Sequence, residues 1–143
     1  MSEDKEDLKE TPAAPAVKVA KPAQSGGKIV VILVRGLINT KITVRQTVNM
    51  LGMNRKNACV IIPDTPSYRG MLNKVKDLVT WGAIDDKTEK MLIEKRGNKD
   101  NKVFHLNPPR KGFGRKGIKK PFGIGGGLGD RKEKINDLIL RMI

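Results

Sequence analysis

Pro63-Asp64-Thr65-Pro66-Ser67-Tyr68-Arg69-Gly70-Met71-Leu72-Asn73-Lys74-Val75-Lys76-Asp77-Leu78-Val79 reads as the end of a strand running into the start of a helix. Thr65 is placed to cap that helix, and Pro66 suits its first position, where a missing N–H costs nothing. Met71, Leu72, Val75, Leu78 and Val79 recur at helical spacing and predict one buried stripe, with the helix reaching about Val79. Ser67 and Tyr68 fall in the first turn, and Tyr68, Arg69, Lys74 and Lys76 lie mostly off the stripe. A helix N-terminus presents free N–H groups and partial positive charge. Arg69 beside it makes a phosphate-binding corner.

Upstream, Ile29-Val30-Val31-Ile32-Leu33-Val34 is a β-branched apolar run between Gly27 and Gly36, predicted to be a strand covered on both faces. Arg35 follows it. Thr43 with Gln46 suggests a capping box, Val44, Val48 and Leu51 share a helical face, and Gly52 is a plausible stop. Arg45 lies on this helix, and Arg55 and Lys56 precede a second strand, Asn57 to Ile62. Downstream, Asp86 and Glu89 open a helix closed by Gly97, and Lys102 to Leu106 alternates as a strand. Asp130, with Glu133 in the box position, opens a last helix with Ile135, Leu138, Ile139 and Met142 on one face.

The segment Asp64 to Val75 closely resembles the signature of the large-subunit ribosomal protein family numbered thirty in bacteria and archaea and seven in eukaryotes. Lys28 to Ile84 looks like the whole of the short bacterial form. Trp81-Gly82, Pro108-Pro109-Arg110 and Gly126-Gly127-Leu128-Gly129 resemble its archaeal and eukaryotic extension. The resemblance implies an α+β fold: a ferredoxin-like βαβαβ core with helices on one face of a small sheet, plus a basic C-terminal extension ending in a helix. It also implies contact with large-subunit ribosomal RNA and with neighbouring ribosomal proteins, a part in subunit assembly, and a ribosome-bound place in the cytoplasm. Three regions are expected: a disordered tail at 1–27, an RNA-binding core at 28–107, and a basic Gly/Lys-rich loop and helix at 108–143.

Charge is unevenly spread along the chain. Of the net +14, residues 1–27 contribute −1, residues 28–97 contribute +7 and residues 98–143 contribute +8. The excess therefore belongs to the body and its extension, the footprint of a polyanion partner. With three Phe, one Tyr and one Trp, rows of aromatic platforms for single-stranded bases are poorly supported. Phosphate contact and shape reading of folded RNA suit the composition better. The tail has little to bury and is expected to stay disordered when free. No apolar run approaches the roughly 18 residues of a membrane span, and no signal-peptide core opens the chain, so no membrane partner is expected.

Residues 108–129 carry Arg110, Lys111, Arg115, Lys116, Lys119 and Lys120, eight glycines and no acid. Glycine permits close backbone approach to a phosphate chain. The stretch is expected to thread into folded RNA, with Phe113 or Phe122 against a sugar or base. The run Gly123 to Gly129 fits neither dinucleotide nor P-loop spacing, so no nucleotide cofactor or small-molecule substrate is expected. One cysteine, Cys59, excludes an intramolecular disulfide and a cysteine-based zinc site. His105 is the sole histidine, and Asp64, Asp85 and Asp86 stand at helix starts where capping is their ordinary role. No nucleophile has an evident base, so neither a catalytic nor a metal site is expected. The RNA-binding candidates are thus Arg35, Arg45, Arg55, Lys56, Ser67, Tyr68, Arg69, Lys74 and the six loop cations. A DNA-binding chromatin protein is the alternative that charge alone permits; it lacks a helix-turn-helix or zinc pattern.

Overall fold

β1 (Lys28–Leu33) is the centre of a five-stranded sheet in the computed structural model, which describes residues 27–97 and 103–143. The tail expected at 1–27 lies outside the described residues except for Gly27, as does Lys102. β2 (Ala58–Pro63) and β3 (Val79–Ala83) flank β1, both antiparallel to it. β4 (Val103–His105) adds antiparallel to β2, and β5 (Gly129–Asp130) adds parallel to β3, giving the order β4-β2-β1-β3-β5. The helices are α1 (Ile42–Met50), α2 (Pro66–Val75), α3 (Asp86–Arg96) and α4 (Ile135–Met142).

The period-two alternation of β1 explains the layering. Ile29, Val31 and Leu33 face one core with Val48 and Leu51 of the α1 region and Leu72 and Val75 of α2. Val30 and Ile32 face a second core with Leu92 of α3 and Ile135, Leu138, Ile139 and Met142 of α4. α1 and α2 thus lie on one face, as expected for the core, while α3 and α4 cover the other. This is why β1 is an unbroken apolar run. Cys59 sits wholly buried in the second core, and burial pushes its thiol far above the ordinary range. Native protein is expected to resist alkylation at neutral pH and to react only after denaturant is added, as mass spectrometry will report.

Thr65 caps α2 as expected: its Oγ1 accepts from the Tyr68 N–H at 3.4 Å, with Pro66 at the first position. Gly52 ends α1 at φ +84°, a conformation that favours glycine. Three expectations are corrected. α2 stops at Val75, not Val79, and Val79 instead opens β3, which also holds Trp81. Leu78 donates to the Val75 carbonyl at 2.9 Å, and its own carbonyl accepts from Val34 and Arg35, both at 3.0 Å. Helix, turn and strand all deliver side chains to one core, so helical spacing ran on past the helix.

The second correction concerns α1. It starts at Ile42 with no side-chain cap, and Thr43 lies inside it. The Lys41 carbonyl accepts from Val44 and Arg45 at 3.1 and 3.0 Å, fixing the helix start before Thr43 could act as its cap. The third concerns α4. Asp130 Oδ1 accepts from the Lys132 N–H at 2.8 Å, a 3₁₀ turn follows at Lys132–Lys134, and the α-helix begins only at Ile135.

α4 is clipped to the sheet and to α3 by Asn136, a buried amide on its apolar side. Its Oδ1 accepts from the Asp85 N–H at 3.1 Å and the Thr88 hydroxyl at 2.8 Å, and its Nδ2 donates to the Glu133 carbonyl at 2.9 Å and the Ala83 carbonyl at 3.3 Å. Four partners satisfy a group whose burial would otherwise be costly.

Candidate nucleic-acid interface

The register places most of the candidate cations at one end of the sheet. β1 finishes there at Leu33, opposite Val79 where β3 begins. β2 begins there at Ala58, opposite His105 where β4 finishes. The chain leaves this end from β4, at one edge of the sheet, and returns into β5, at the other edge. The intervening basic segment therefore crosses the full width of the sheet.

That segment is folded in its own right. It is stitched to the end of α4: Asn107 and Arg110 donate to the carbonyls of Met142 and Arg141 at 3.1 and 3.2 Å. Arg141 Nη1 returns bonds to the Arg110 and Gly112 carbonyls, both at 3.2 Å. Within the segment, Lys116 donates to Gly125 at 3.0 Å, Phe122 to Leu128 at 2.7 Å and Gly127 to Lys120 at 3.0 Å. Main-chain bonds thus hold its shape and leave the cationic side chains outside. Arg110, Lys111, Arg115, Lys116, Lys119 and Lys120 are all exposed. None of the six is held in an ion pair among the described residues.

Three further candidates share this end. Arg35, half-buried, follows β1 and donates from Nη1 to the Asp77 carbonyl at 3.4 Å. Arg55 and Lys56 are exposed in the turn before β2, which closes with Asn57 at φ +64°. Lys74 is exposed in the last turn of α2, leading towards the same end, and Arg45 is exposed on α1. The α1 side also exposes Ile38, Ile42 and Met50, an apolar trio that the helical pattern did not flag.

Ser67, Tyr68 and Arg69 are separated from this group. They open α2 at the opposite end, where β2 finishes at Pro63 opposite Lys28. Ser67 is exposed, and half-buried Tyr68 packs on the first core. Arg69 holds the Asp64 carboxylate through both Nε and Nη2. Asp64 is therefore an ion-pair partner and Thr65 does the capping, so the corner carries less net charge than its sequence suggests. The Arg69 bonds hold the Asp64 carboxyl below the usual carboxylate range. A depressed folded pKa means that the pair's stabilisation is present above the ordinary value of about 3.9 and fades as pH falls through the lower, folded value. Carboxyl NMR titration should show Asp64 returning towards the ordinary value in Arg69→Ala.

One site residue escaped the sequence reading. Arg131 is 4% exposed and lies beneath the basic segment. Its Nε donates to Thr80 Oγ1 at 3.0 Å; Nη2 donates to the Gly127 carbonyl at 3.2 Å and to the Phe113 carbonyl. The guanidinium also lies over one face of the half-buried Phe122 ring, 4.7 Å from its centroid. Burial, reinforced by Arg141 and opposed by Asp137, lowers its pKa to about 10, so it stays charged at neutral pH. A signal was present: Arg131 continues the stripe of Ile135, Leu138, Ile139 and Met142 backwards by one helical step.

A family model described as ribosomal protein L30p/L7e matches residues 29–79, from β1 to the first residue of β3. The chain is 41% identical to the large ribosomal subunit protein uL30 of Methanococcus maripaludis, over 79% of this chain and 97% of that protein. The uL30 proteins of Nanoarchaeum equitans and Methanopyrus kandleri are 38% and 36% identical, over 77% and 76% of this chain and 95% and 99% of theirs. The chain belongs to the L30p/L7e family of ribosomal proteins. Membership makes it a ribosomal protein and not an enzyme. The L30p/L7e stretch holds Arg35, Arg45, Arg55, Lys56 and the α2 candidates, whereas the six loop cations lie beyond residues 29–79. Among the described residues no group of His, Cys, Asp and Glu is arranged to hold a metal ion, and no helix is long and apolar enough to cross a membrane.

Proposed function

We propose that this L30p/L7e protein is a ribosome-bound, cytoplasmic constituent of the large subunit, that it binds ribosomal RNA through the basic end of its sheet, and that it supports subunit assembly. The observation that carries the reading is the folded segment spanning the sheet from β4 to β5, with six exposed cations and no acid between Pro108 and Gly129. Main-chain bonds hold that surface before any partner arrives, which reduces the ordering cost of binding. Arg35, Arg55 and Lys56 extend it, so an RNA backbone laid across this end meets charge from three connections. Phosphate contacts of this kind position a protein on folded RNA without requiring stacked bases. Neighbouring ribosomal proteins are the remaining partners of the reading, and the exposed Ile38, Ile42 and Met50 offer them an apolar surface.

Sedimentation of cell extract tests the proposal. The protein should co-migrate with the large subunit, survive DNase treatment and be released by RNase. Release by DNase instead would favour a chromatin role.

A further inference from the structure

We propose that Arg131 is a positioning residue for RNA binding: it pins the two arms of the basic segment into one phosphate-reading shape without touching RNA itself. The inference rests on the functional reading above and deepens it.

The segment folds back on itself, so that residues far apart along it must meet. Phe113 lies in its first arm and Gly127 in its last, and nothing covalent holds the arms together. Arg131 Nη2 donates to both carbonyls at once, and Nε reaches across to Thr80 Oγ1 in β3. Thr80 in turn donates to the Gly129 carbonyl at 2.9 Å, and the Arg131 N–H donates to the Trp81 carbonyl at 2.8 Å. One planar fork thus joins both arms to the sheet. Phe122, from the tip region, closes over the guanidinium. A Cβ at Gly127 would fall 2.9 Å from the Phe113 side chain, so the arms are already in close contact where the pin sits. Lysine cannot reproduce this arrangement: its ammonium is a point charge without a rigid fork. The side chain is too buried to meet a phosphate. Its effect on RNA must pass through the spacing of Arg115, Lys116, Lys119 and Lys120, which the pinned arms carry.

The experiment compares the full-length parent with Arg131→Lys, which retains the charge, by affinity for large-subunit ribosomal RNA across a salt series and by amide hydrogen exchange. The expected result is affinity lower by about tenfold or more with an unchanged slope of log affinity against log salt, together with faster exchange at Phe122, Gly127 and Leu128. A slope reduced by about 0.7–0.9 would mean that Arg131 itself neutralises a phosphate, and overturns the inference. So does an R131K protein that binds as the parent does, or one that melts earlier while its loop amides stay protected. A parent with no salt-dependent RNA affinity overturns the functional reading and this inference with it. Should R131K fail to fold, Thr80→Val removes the Nε acceptor with little change of shape. It should show the same pattern at smaller size, and unchanged affinity and exchange in T80V would overturn the pin.

Discussion

Replacing Arg110, Lys111, Arg115, Lys116, Lys119 and Lys120 together with glutamine should reduce ribosomal RNA affinity by orders of magnitude while leaving the protein folded. The two halves of this expectation have separate physical grounds. Counterion release makes log affinity fall linearly with log salt, with a slope of about 0.7–0.9 for each phosphate neutralised. If most of the six side chains meet phosphates, the slope should shrink by several units, and affinity at low salt should fall most. The fold should persist because the segment is held by main-chain bonds and by Arg131, none of which the substitutions touch. Exposed substitutions of this kind ordinarily change stability by about 0.5 kcal/mol or less each. Isothermal titration across a salt series, with circular dichroism melting beside it, checks both halves. An unchanged slope would move the phosphate contacts to Arg35, Arg45, Arg55, Lys56 and α2.

Gly82→Ala should be the most damaging small substitution in the sheet. Gly82 is buried in β3 at the point where the 3₁₀ turn before α4 crosses the strand. A Cβ there would overlap the Lys132 carbonyl oxygen and lie 3.0 Å from the Ile135 side chain. The main obstacle is backbone, so no rotamer change relieves it. We expect a loss of about 3 kcal/mol, the upper part of the range for overpacking. Urea denaturation measures it. A loss below about 0.5 kcal/mol would mean that α4 can shift off β3 at little cost. Because α4 also carries the Arg141 contacts to the basic segment, G82A should additionally speed amide exchange at Arg110.

The parts of the fold written in one local rule were legible in the sequence. β1 announced its two buried faces by an unbroken apolar run, and α2 announced its start by Thr65 and Pro66. β3 was not legible, because Leu78 and Val79 continue the helical spacing of Leu72 and Val75 while belonging to a turn and a strand. Long-range bonds distinguish the two: those from Val34 and Arg35 to Leu78, and the pairing of Val79 onwards with β1. The site divides in the same way. Exposed loop cations were readable from charge and glycine content. The neutralisation of Arg69 by Asp64 depends on how the end of β2 meets the first turn of α2, and the burial of Arg131 depends on a loop closing over it. Those are tertiary events. The Arg131 stripe shows that a local trace of one of them existed, since a charged residue in phase with an apolar helix face is a sign of a buried partner set.

Lysine acetylation of the protein, free and within the large subunit, tests the central claim that the basic end of the sheet is the RNA-facing surface. Lys56, Lys111, Lys116, Lys119 and Lys120 stand at that end, while Lys87 and Lys90 are exposed on α3, which starts at the other. The first five should react in the free protein and be protected in the subunit, and RNase digestion should restore their reactivity, while Lys87 and Lys90 change less. Protection of Lys87 and Lys90 with continued reactivity of the loop lysines would contradict the claim.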